Sequence, residues 1–270
     1  MLQPLFRKGE VGMSKLIIGD LSIDCADPKR AQAFYAELMD WEKLTAFGCP
    51  AVKTEVGMLI LFMMPDVPYV PPVWPEEPGR EQKQMHLDFD VEDVPAAVEK
   101  AIRLGATQPA AQYGGADFVT MLDTEGHPFC LCKKQMDSPF SRYYERMGYG
   151  AIPNPSINID CRAFRSIREF YAKLSGWDTG FHETALVSGN KMVVHFMACD
   201  GDFEYVPPVW PEEPGQQQKQ MHFNFQVADL HAAVTEALAL GASKPAQQFG
   251  GDHFVSLLDP EGHPFCLCKQ

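Results

Sequence analysis

Polar and apolar residues alternate along positions 16–25. Leu21, Ile23 and Cys25 fall on one face and Asp20, Ser22 and Asp24 on the other, the period of a half-buried strand. Asp27 before Pro28 is a helix start, and Ala31, Phe34, Tyr35 and Leu38 recur behind it at helical spacing. A strand-rich stretch ends over 57–64, and the pattern then restarts. Leu87, Phe89 and Val91 alternate with His86, Asp88 and Asp90, and Asp93 opens a helix bearing Val94, Ala97, Val98, Ala101 and Leu104 that Gly105 stops. Turns at Gly114-Gly115 and Glu125-Gly126 lead into strands over 118–122 and 129–132. The unit predicted twice is a strand, a helix and several strands.

The whole arrangement is then repeated. Positions 69–133 recur at 205–269 with roughly two thirds of the residues identical, including YVPPVWPEEPG, QKQMH and EGHPFCLCK. The front halves match more loosely, with Ile23-Asp24-Cys25 answered by Ile159-Asp160-Cys161 and Trp41 by Trp177. Two copies of so long a period mean tandem globular domains rather than a solenoid. The expected division is an N-terminal extension over 1–14, a first domain over 15–134, a linker over 135–153 and a second domain over 154–270. Met13 is an alternative start to Met1.

Composition narrows the classes. With 46% hydrophobic and 22% charged residues, the 270-residue chain has enough apolar content for two cores. A net charge of −13 argues against nucleic acid as a partner. No apolar run approaches the roughly 20 residues that span a bilayer, and the start lacks the apolar stretch of a secretory signal. Eight scattered cysteines in apolar strands suit reduced thiols, so a cytoplasmic protein is expected.

The phrases DCADPKRAQAFYAELMDWE, MHLDFDVEDVPAAV and LDTEGHPFCLC resemble the vicinal oxygen chelate superfamily, also called the glyoxalase, bleomycin-resistance and dioxygenase fold. The resemblance implies an α+β fold of two tandem glyoxalase-like domains, each of two βαβββ modules forming an incomplete barrel with a concave ligand face. It is specific for fold rather than function. The family's metal positions carry over to Asp20 and Ser156, to Leu61 and His195, to His86 and His222, and to Cys130 and Cys266. The last pair stands where the metal enzymes have Glu, and only the His86/His222 position keeps the usual residue in both copies. Any metal site is therefore expected to include His195, with His222 and Cys266 or with His86 and Cys130 as partners. Both module pairings occur in the superfamily, and the sequence leaves the choice open.

The expected ligand groove contains Asp20, Ser22, Asp24, His86, Asp88 and Trp74, and Asn158, Asp160, His222, Asn224 and Trp210. Grouped by copy, the front residues are the more acidic, which favours a cationic or polyhydroxylated ligand. The Pro-rich loops around Trp74 and Trp210 read as lids or as staples between domains, with the staple favoured for a stiff loop present in both copies. His127 and His263 read as turn residues. Two functions stay open: a protein that binds a small molecule in its grooves without a full metal site, and a metal-dependent lyase, isomerase or dioxygenase using zinc, nickel, manganese or iron. The partners expected are a small molecule and the pseudo-twofold mate within the chain, with a homodimer left open.

Overall fold

The computed structural model describes residues 16–134, 138–199 and 204–270. The expected extension over 1–14 and the start at Met13 lie outside them. The first module comprises β1 (Ile17–Asp24), α1 (Pro28–Met39), β2 (Glu42–Ala46), β3 (Cys49–Lys53) and β4 (Leu59–Met63). The second comprises β5 (Met85–Val91), α2 (Val94–Arg103), β6 (Phe118–Leu122) and β7 (Pro128–Lys133). After α3 (Pro139–Arg146) come the third, with β8 (Ser156–Cys161), α4 (Phe164–Ser175), β9 (Asp178–Thr179), β10 (Ala185–Val187) and β11 (Val193–Ala198), and the fourth, with β12 (Met221–Val227), α5 (Leu230–Ala239), β13 (Phe254–Leu258) and β14 (Pro264–Lys269).

The local signals act as chemistry dictates. The Asp27 carboxylate accepts from the Lys29 and Arg30 amides, and Asp93 and Asp229 accept from Ala96 and Ala232, filling donors that a helix start leaves empty. In the second and fourth modules one strand of the expected βαβββ shrinks to a single bridge, Thr107 to Leu122 and Ser243 to Leu258. Pro109 and Pro245 follow closely and have no N–H to extend the ladder.

The four modules form two open seven-stranded sheets rather than a closed barrel. The first sheet runs β13-β14-β12-β1-β4-β3-β2 and the second β6-β7-β5-β8-β11-β10-β9. Antiparallel pairs β1–β12 and β5–β8 join them at their centres. Each sheet thus takes one module from each repeat: the first and fourth together, the second and third together. The pairing that the sequence left open is exchanged between the repeats.

The sheets share one core. The Tyr35 ring of α1 stacks on Phe62 of the first sheet at 5.6 Å and lies 6.0 Å from Phe89 of the second. Tyr171 of α4 mirrors it, 5.4 Å from Phe196 and 6.2 Å from Phe225. Both hydroxyls find buried acceptors, Asp123 at 2.7 Å and Asp259 at 3.0 Å. Helices α1 and α4 therefore lie between the sheets, and the polar strand residues face outward, where α3 packs instead.

The Pro-rich loops explain the shared wording of the two copies. Val70 N donates to Gln218 Oε1 at 3.0 Å, and Val206 N donates to Gln82 Oε1 at 2.9 Å, so each loop is tied to the other repeat's glutamine. His127 and His263 are buried beneath these loops, bonded to Tyr69 and Tyr205 and to the carbonyls of Asp24 and Asp160. Gly126 permits the contact: its φ is +92° and an added Cβ would lie 2.8 Å from Pro71 Cβ.

Glu81 joins the repeats through one oxygen. Its Oε1 accepts from Gln218 N at 2.6 Å, Gln217 Nε2 at 2.7 Å and Gln220 Nε2 at 2.8 Å. Burial, with Glu212 adding repulsion, raises this carboxyl to about 7. Between the ordinary value and 7 the folded chain holds a proton that the unfolded chain has lost, so stability falls as pH rises through that window. Glu81→Gln keeps the accepting oxygen and removes the charge. It is expected to match the wild type near pH 4.5 and to be more stable near pH 8.5 by about 1–2 kcal/mol after solvent screening. Thermal melts at the two pH values check this, and an unchanged difference between them would contradict it.

Candidate functional site

Strand register assembles the polar face of the second sheet. His86 of β5 stands opposite Asn158 of β8, and Asn158 stands beside His195 of β11. Two residues along, Ser156 faces Asp88, Asp88 lies beside Cys130 of β7, and Cys130 pairs with Thr120 of β6. Cross-strand neighbours share a face, so two rows result: His86–Asn158–His195 and Ser156–Asp88–Cys130–Thr120. Ligand atoms of His86, Asp88 and Cys130 all lie within 4.8 Å of one another. His86 Nε2 is 3.6 Å from Asp88 Oδ1, and Cys130 Sγ is 3.6 Å from Thr120 Oγ1.

Burial sets the charge states. It holds the His86 imidazole well below its ordinary range, with Lys83 and His195 adding to the effect, and it pushes His195 down to about 4. Both rings are neutral near pH 7, the form that offers a lone pair to a metal. Burial raises Asp88 to about 6 and moves the Cys130 thiol upward. His86 Nδ1 is buried without a hydrogen-bond partner, and the Asp88 carboxylate, with only long contacts to His86, Asn158 and Cys130, is weakly satisfied. Poorly satisfied buried polar atoms are costly, and their clustering on one face marks a place for a ligand.

The first sheet repeats the geometry with other chemistry. Leu61 and Ser22 stand in line with His222, and Asp20, Asn224, Cys266 and Ser256 form the second row. Leu61 thus replaces His195, and Asn224 replaces Asp88. Asn224 Nδ2 bonds to Asp20 and, at 3.0 Å, to Ser22 Oγ, so this polar set is largely satisfied internally. Burial pushes His222 down to about 3 and Asp20 up to about 6. His222 Nδ1 has no partner, yet no carboxylate–thiol–imidazole cluster forms here among the described residues.

A lysine sits beside each row. Lys83 Nζ bonds to Asp160 and lies 3.1 Å from Glu76, with the Trp74 ring 5.0 Å away. Lys219 bonds to Asp24 at 2.6 Å and Glu212 at 2.9 Å, 4.7 Å from the Trp210 ring. Beside the second sheet a cleft of about 240 Å³ opens onto His86, Cys130 and Thr120, walled by Trp74, Tyr113 and Met197. At the far side of His195, Tyr144 of α3 packs on Ala185, Val187 and Val193 and fills the adjoining part of the face.

The two expected ligand groups are therefore redistributed. The front copy's Asp20, Ser22 and Asp24 join His222 and Asn224 on the first sheet, while His86, Asp88 and Asp90 join Ser156, Asn158 and Asp160 on the second. A single acidic front groove does not exist, because the modules exchange partners, and Asp24 and Asp160 are each neutralised by a lysine. His195 falls on the same sheet face as His86 and Cys130 rather than with His222 and Cys266, but the three-ligand cluster consists of His86, Asp88 and Cys130 and, against expectation, leaves His195 outside it, one strand away. Sequence reasoning did not single out Lys83, Glu76, Tyr113 or Tyr144. A lysine kept in both copies of QKQMH and an aromatic before Gly-Gly were the available signals.

The profile of the glyoxalase-like domain family matches residues 20–132 and 156–268. No functionally curated protein matches the sequence. Among solved structures, glyoxalase I from Zea mays superposes with a TM-score of 0.61 at 14% identity, covering 94% of this chain and 92% of that one. A point mutant of the same maize enzyme gives the same score and identity over 94% of both chains. A putative dioxygenase from Bacillus subtilis gives 0.56 at 9% identity over 96% and 86%. At these identities the likeness concerns the fold.

Proposed function

This chain belongs to the glyoxalase-like domain family, and from that premise we propose that the second sheet is its working site, a cleft that binds a small molecule beside one divalent cation. The observation that carries the reading is the His86–Asp88–Cys130 cluster, three ligand atoms within 4.8 Å of one another, with His86 Nδ1 buried and unpartnered. Imidazole, carboxylate and thiolate together suit a borderline cation, zinc first, and a three-residue set leaves coordination open for a ligand. Such an ion would act as a Lewis acid on a ligand oxygen. The chain's own contribution is positional. Neutral His86 and His195 present lone pairs, Thr120 Oγ1 holds the Cys130 sulfur, and Trp74 gives the cleft an apolar wall. The first sheet, with Leu61 and Asn224, serves as a polar groove without metal.

The elevated Cys130 thiol and the absent family Glu favour a second reading, small-molecule binding without metal. Elemental analysis of untagged protein after incubation with zinc, nickel, manganese or iron(II) separates the two. One metal per chain is the expected result, and none under any condition leaves the metal-free reading. As for the membrane, no described helix is long and apolar enough to cross one.

A further inference from the structure

We propose that Trp74 and Tyr113 form an aromatic lip that admits a single-ring ligand of neutral or positive charge to the second-sheet cleft, with Tyr113 setting that preference. The inference rests on reading this cleft as the ligand site. Its volume of about 240 Å³ exceeds the roughly 150 Å³ of a cavity known to admit benzene, room for one ring and its substituents. The walls are aromatic and soft, from Trp74, Tyr113, Phe118, Tyr205 and Met197. Trp74 and Tyr113 meet edge to face at 6.0 Å and 81°.

The two rings are not equivalent. Lys83 sits over Trp74 at 5.0 Å and holds that ring in place. Tyr113 is 67% exposed at the mouth, a large apolar surface beside a concave site. The backbone behind it is closely packed, since a Cβ on Gly114 would lie 2.1 Å from Phe118 O. The tyrosine therefore presents its ring beside Trp74 at the mouth without being packed away. Among the lining side chains Glu76, Asp160 and Glu204 outnumber a single cation, Lys83, so in the metal-free chain the cleft's field opposes an anionic ligand.

The test uses the full chain and three probes, phenol, cyclohexanol and benzoate, titrated by ligand-observed NMR and calorimetry, with zinc content measured on every sample. Phenol is expected to bind about fivefold tighter than cyclohexanol, and in the chelator-treated, metal-free chain benzoate is expected to bind more weakly than phenol. Tyr113→Ala should erase the phenol preference and Tyr113→Phe should keep it, both with wild-type zinc content. Equal affinities for phenol and cyclohexanol, a preference unchanged in Tyr113→Ala, tighter binding of benzoate than phenol by the metal-free chain, or no binding of any probe at millimolar concentration would each overturn the proposal. Absence of zinc with the phenol preference intact would remove the metal reading alone. Zinc present without the preference would remove this one alone.

Discussion

Lys219→Met is expected to destabilise the fold by about 3–5 kcal/mol at pH 8, the range for breaking a buried ion pair on one side. The lysine side chain is 5% exposed, and its partners Asp24 and Glu212 are 2% and 1% exposed. Removing the cation leaves two carboxylates where water cannot reach them. Burial already raises Asp24 to about 6 with Lys219 in place, and without the lysine it rises further. A folded-state carboxyl held above its unfolded value keeps a proton that the unfolded chain releases, so the variant loses stability as pH increases from about 4. The deficit relative to wild type should therefore be smaller at pH 5 than at pH 8. At roughly 2–4 °C per kcal/mol, the melting temperature at pH 8 should drop by about 10 °C. Adding Asp24→Asn and Glu212→Gln to Lys219→Met should recover much of the loss, because no charge is then stranded. A loss independent of pH, or one that the triple variant fails to relieve, would show that methionine disturbs packing rather than charge.

The lysine clusters also show where sequence reading stops. Alternation gave β1 and β5 with their polar faces, and the Asp–Pro and Asp–Val starts gave α1 and α2, because these depend on neighbours within a few residues. Nothing local tells β12 to pair with β1 rather than with β8. That choice depends on contacts such as Val70 with Gln218 and Lys219 with Asp24, separated in sequence by 148 and 195 residues. The consequence reaches the site. Grouping by copy put Asp20 and His86 in one groove, whereas the exchange separates them and brings His195 to His86. The residue types were legible, and their company was not. Tyr113 escaped notice because an exposed aromatic in a loop has no period, and Tyr144 because α3 lies in a stretch where the repeat gives no template.

The same exchange makes the metal reading testable residue by residue. His86→Ala, Asp88→Asn and Cys130→Ser should each weaken zinc binding by about 100-fold or more, since loss of a ligand exceeds the 10–100-fold seen when only a supporting group is removed. His195 stands one strand beyond, with Asn158 between it and His86. Its ring is also engaged with Thr184 at 3.4 Å, so His195→Ala should cost about tenfold. His222→Ala and Cys266→Ser, on the other sheet, should leave zinc affinity unchanged. Competition against a chromophoric chelator measures all of these variants, with circular dichroism to confirm folding. The pattern discriminates because each repeat contributes to both groups: His86, Asp88 and Cys130 come from the first repeat, but His195 reaches them only through the exchanged pairing. A metal site built within the second repeat would reverse the ranking, with His222 and Cys266 essential and His86 dispensable. Equal, modest losses across every variant would mean that zinc binds loosely at scattered side chains and that the cluster is a packing arrangement.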